Sequence, residues 1–128
     1  MFAKANSLKF AAFGAVLFMS SFIYQRSATA ADARLPSLVQ NYATSTLLFR
    51  KDPLRNSMQS VYAMTWMMQI QQLLNSYDEA AVQDSRYCVT ALDNYEYLFR
   101  KLERFNLDDD PLAVPSAAYI VLQNACSQ

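Results

Sequence analysis

Apolar residues recur at helical spacing along most of this chain, and strict apolar/polar alternation does not occur. Leu38, Tyr42, Ser45 and Phe49 share one stripe, widened by Val39, Thr46 and Leu47. They predict a helix over 37–50, with Pro36 at its entrance and Arg50 and Lys51 complementing its C-terminal dipole. Asp52-Pro53 reads as an N-cap acceptor followed by proline at the first helical position, opening a second helix that runs to Tyr77. In it Leu54, Met58, Val61, Thr65 and Met68 form one row, and Tyr62, Trp66, Ile70, Leu73 and Tyr77 the next. So wide an apolar face predicts a central helix. Met64, Met67 and Met68 beside Trp66 carry two readings. One is a soft partner-binding surface. The other, the commoner fate of such a stripe, is core, and it is the reading adopted.

The stretch 77–87 is less regular and holds at most one extra turn, around 79–83. Thr90, with Asp93 three residues on, reads as the cap of a third helix. Leu92, Tyr95, Leu98, Phe99 and Leu102 face its core side, and Arg100, Lys101, Glu103 and Arg104 face solvent. Asn106 and the run Asp108-Asp109-Asp110-Pro111 end it. A fourth helix spans 115–125, with Ala118, Val121, Leu122 and Ala125 inward. The expected fold is therefore all-α, a compact bundle of about four helices in a single domain over 31–128.

The first thirty residues have a different character. Lys4 and Lys9 precede an uncharged run from Phe10 to Ile23, and Ala28-Thr29-Ala30 is a small-x-small site. This pattern reads as a signal peptide over 1–30, cleaved before Ala31, and implies a periplasmic protein. The run is shorter than the roughly 20 apolar residues of a membrane span. An uncleaved inner-membrane anchor over 10–24 is the alternative.

Composition narrows the chemistry. Removing Lys4, Lys9 and Arg26 leaves eight basic against eleven acidic residues, a net charge of −3. That balance does not seek nucleic acid or an anionic membrane surface. The chain has no histidine, and its one glycine, Gly14, lies in the signal segment. Histidine-based catalysis, zinc sites of the Cys/His type and glycine-rich phosphate loops are excluded on those counts. The Asp108-Asp109-Asp110 cluster lacks the spacing and glycine of an EF-hand. No cofactor or metal is expected, and the chain reads as a binding protein, not an enzyme.

Cys88 and Cys126 are the only cysteines. In an exported chain such a pair implies a disulfide. The pattern places Cys88 just before the third helix and Cys126 just after the fourth, so an antiparallel hairpin of the two brings them together. A reactive Cys-x-x-Cys spacing is absent.

From Tyr62 onward the chain resembles the Tai-type immunity proteins, small exported helical proteins that neutralise peptidoglycan amidase toxins of the type VI secretion system. The matching pieces are Tyr62, Cys88-Val89-Thr90, Tyr97-Leu98, the turn 106–111, Pro115-Ser116-Ala117-Ala118 and Cys126. The family's glycines in the second helix, and its Pro-x-Gly after the first cysteine, are missing here. The resemblance implies a periplasmic inhibitor that binds an amidase toxin, and a homodimer. The alternatives are an accessory subunit of a cell-envelope complex and a small periplasmic chaperone. With helix faces expected to be consumed by the core, binding is assigned to two loops. One is 78–86, with Asp78, Glu79 and Arg86. The other is the acidic turn with Asp108, Asp109 and Asp110.

Overall fold

A computed structural model describes residues 30–109 and 116–127. They form an all-α bundle with no strand among the described residues: α1 (Leu35–Lys51), α2 (Ser57–Gln83), α3 (Cys88–Arg104) and α4 (Ser116–Cys126), with a 3-10 turn, Ser85–Tyr87, leading into α3. The signal segment proposed over 1–30 lies outside the described residues except for Ala30.

α1 starts slightly earlier than its apolar stripe suggests, because Asp32 organises its entrance. The Leu35 N–H donates to the Asp32 carbonyl (3.1 Å) and the Arg34 N–H to Asp32 Oδ1 (2.8 Å). Pro36 then sits in the first turn, where a missing N–H costs nothing.

Asp52-Pro53 stops α1 and does not start α2, which corrects the sequence reading. Proline pushes the residue before it towards extended backbone, and Asp52 has φ −153° and ψ 83°. Asn56 closes the connection. Its N–H donates to the Asp52 carbonyl and its Nδ2 to the Leu48 carbonyl, both at 2.9 Å. α2 begins only at Ser57, so Leu54 falls in the turn and is 94% exposed. At its other end α2 runs on past Tyr77 to Gln83, burying Ala81. The expected separate turn at 79–83 is the last part of this helix.

α3 begins at Cys88, and Thr90 is inside its first turn instead of capping it. The reason lies just upstream, where the Asp84 carboxylate accepts the Arg86 N–H (3.0 Å) and caps the 3-10 turn. The C-terminus of α3 is a Schellman motif. Asn106 adopts φ 59°, its N–H donates to the Glu103 carbonyl (3.0 Å), and the Leu107 N–H donates to the Leu102 carbonyl (2.7 Å). Leu102 and Leu107 are both fully buried, supplying the apolar contact that accompanies this motif.

One core joins the four helices. It contains Leu35, Val39, Tyr42 and Ala43 from α1, Met67, Ile70, Leu73 and Leu74 from α2, Tyr95, Leu98 and Leu102 from α3, and Leu122 from α4. α1 and α2 make the most extensive pairing, α3 packs against both, and α4 lies on α2 and α3. The face of α4 is rotated from expectation. Ala118, Tyr119 and Leu122 turn inward, while Val121 and Ala125 are exposed. Tyr119 is drawn in by an aromatic cluster on α3, meeting Phe99 edge-on at 5.2 Å and Tyr95 at 5.4 Å. The Cys88–Cys126 disulfide joins the first residue of α3 to the last of α4, with Cα atoms 5.8 Å apart. No helix among the described residues is long and apolar enough to cross a membrane.

Candidate protein-binding face

α2 is central, packing on each of the other three helices, yet much of the apolar surface that the sequence reading assigned to the core is exposed. Met58, Val61, Tyr62, Met64 and Met68 are each between 46% and 59% exposed. The buried stripe is offset from them, through Ala63, Met67, Ile70, Leu73, Leu74 and Ala81. The expectation that the core consumes every apolar helix face is thus overturned. α1 and α3 each occupy only part of the circumference of α2, and residues 58–68 outside that contact stay in solvent.

Between this face and α1 runs a groove of about 520 Å³. Tyr42, Thr46, Phe49 and Arg50 of α1 form one wall, and Ser60, Ala63, Met64, Met67, Met68 and Gln71 of α2 the other. Thr46 is buried, and its Oγ1 has no hydrogen-bond partner among the described residues. Asp109 closes one end, 3.8 Å from the Arg50 guanidinium.

Asp109 of the acidic turn therefore borders this face. Asp108 and Asp109 are exposed, and Asp109 sits at the groove mouth. Asp110 lies outside the described residues. The other expected binding loop is not a loop. Asp78 and Glu79 belong to α2, and Arg86 to the 3-10 turn. Asp78 is half-buried and accepts a hydrogen bond from the Tyr95 hydroxyl (2.5 Å). Burial pushes its carboxyl up, and the Tyr95 bond opposes this in part. Its role is to tie α2 to α3. Arg86 is engaged by Asp84 at 2.6 Å, leaving Glu79 as the exposed acid of that end.

A sequence signal for the missed residues exists. From Asn56 to Tyr77 there is no charged residue, a span of 22 positions. Soluble surfaces carry roughly a quarter to a third charged residues, so an uncharged stretch of helix with a solvent-exposed apolar face is a candidate contact surface.

Among the described residues no group of three or more His, Cys, Asp or Glu is placed to hold a metal ion. No protein family, curated protein or solved structure matches the chain.

Proposed function

We propose that this chain is an exported helical protein that works by stoichiometric binding, without catalysis, and that its partner is a cell-wall amidase toxin, as in an immunity protein. The observation that carries the binding reading is the uncharged, methionine-rich face of α2 with its groove against α1, left open by a core that is complete without it. Methionine side chains adapt to a partner's shape, which suits a groove that receives apolar anchors. Asp109 at the groove mouth, with the exposed Asp108 next to it in sequence, suits a partner with a basic rim around its apolar anchor. The amidase assignment rests on the resemblance through Tyr62, Cys88, Tyr97-Leu98, Pro115 and Cys126.

Co-export with type VI amidase toxins in the periplasm of a sensitive host tests this reading. The parent chain is expected to prevent lysis by one of them. The Met64→Glu/Met68→Glu variant is expected to fold and fail to protect. Changing Asp108, Asp109 and Asp110 to Ser is expected to weaken protection by slowing association, with less dependence on salt. A parent that protects against none of the toxins, or a methionine variant that protects as the parent does, contradicts the proposal.

A further inference from the structure

The segment ahead of α1 is fastened to the bundle on both sides of the expected processing junction, at Ala30 before it and at Asp32 after it. The Ala30 N–H donates to Asp93 Oδ2 (2.9 Å), and the Asp32 N–H donates to the buried Asn94 Oδ1 (2.8 Å). Ala31 between them is half-buried and packs against the core. We infer that the surface of α3 at Asp93 and Asn94 is a receiving site for the new N-terminus: cleavage between Ala30 and Ala31 leaves an α-ammonium on Ala31 that pairs with the Asp93 carboxylate. This rests on the signal-peptide reading of residues 1–30.

The chemistry follows from the geometry. Hydrolysis of the Ala30–Ala31 peptide bond removes the Ala30 N–H that Asp93 accepts. It creates, on the adjacent nitrogen, a cation with three donors. Asp32 stays tethered to Asn94 on one side and to the Tyr77 hydroxyl (2.5 Å) on the other, so the terminus is held one residue from a fixed point. A terminus fixed in this way loses little further entropy when it pairs.

The charged and titratable groups around it come from each neighbouring element. Asp32 and Arg34 lie on the segment itself, Tyr77 on α2, Asp93 and Glu96 on α3, and Tyr119 on α4. Hydrogen bonds from Arg34 hold Asp32 well below the usual carboxylate range. The Tyr77 and Tyr119 hydroxyls are both raised above the ordinary tyrosine value, by the Asp32 hydrogen bond and by burial respectively. The cysteines are disulfide-bonded. Between pH 6.5 and 9.5 the Ala31 amine is thus the group here whose charge changes, from an ordinary pKa of about 8.

Pairing raises that pKa. Its stabilisation is then fully present below pH 8 and lost as pH rises through the raised value. The test uses the chain recovered after export, with intact mass, NMR titration of the Ala31 amine, and melting at pH 6.5 and 9.5. Expected are loss of residues 1–30, an amine pKa above the ordinary value, and its return to that value in Asp93→Asn. Asp93→Asn is also expected to lower the melting temperature by about 2–5 °C at pH 6.5 and by less at pH 9.5. Asp93→Glu is expected to retain the raised pKa. Cleavage at another bond overturns the processing reading and this inference with it. Cleavage at Ala30–Ala31 with an ordinary amine pKa, or an Asp93→Asn effect equal at both pH values, overturns the docking alone.

Discussion

At the scale of single residues, polar side chains set where each helix begins and ends. Asp32 accepts from the Arg34 N–H and guanidinium and from the Tyr77 hydroxyl, and its own N–H reaches Asn94, so one residue joins the entrance of α1 to α2 and α3. Asp32→Asn is expected to cost about 1–2 kcal/mol at pH 7, the scale of hydrogen bonds to a charged acceptor. Because its folded-state pKa is depressed, that stability is fully present above about pH 5 and is lost progressively as pH falls below 4 towards the depressed value. Asp78, raised by burial, acts in the opposite sense in the same range, so the comparison is between variant and parent in urea denaturation at pH 7 and pH 3. A difference that does not shrink on acidification contradicts the account. Asn106 is legible in the sequence as a helix stop because asparagine tolerates the left-handed backbone it adopts here. Asp52 misleads, because an acceptor followed by proline satisfies both the end of one helix and the start of the next. Only the Asn56 side chain, bonded back to Leu48, decides between them.

At the scale of elements, helical class and approximate extent follow from apolar spacing, whereas the buried face of α2 does not. Two neighbouring apolar rows run along α2, and periodicity ranks them equally. Packing chooses between them. Ile70, Leu73 and Leu74 are buried, while Met58, Val61 and Met68 are left outside. The three clustered methionines divide accordingly: Met67 is 5% exposed, and Met64 and Met68 are 59% and 58% exposed. Met67→Ala is expected to cost about 2–4 kcal/mol, the range for a truncated core side chain. Met64→Ala and Met68→Ala should each stay within about 0.5 kcal/mol of the parent. Equal losses at all three positions in chemical denaturation would mean that the α2 face is core after all.

At the scale of the whole molecule, the disulfide and the groove lie in different parts of one bundle. Cys88–Cys126 ties α3 to α4 and encloses a long loop, worth about 4 kcal/mol in the chain-entropy model, a large share of a small domain's stability. α1 and α2 hold the groove and the uncharged face without help from that bridge. The disulfide was legible from two cysteines at the outer ends of adjacent predicted helices. The groove was not, because it arises from how far apart α1 and α2 pack above Ala63 and Met67, a distance that no spacing in the sequence encodes. The central claim is that this face binds one protein partner stoichiometrically. Titrating a purified amidase toxin with the exported chain, and then with its Met64→Glu/Met68→Glu variant, tests it most directly. The account predicts that hydrolysis of peptidoglycan falls to zero at one chain per enzyme with the parent, and that the folded variant leaves hydrolysis intact. Equal inhibition by both chains contradicts it.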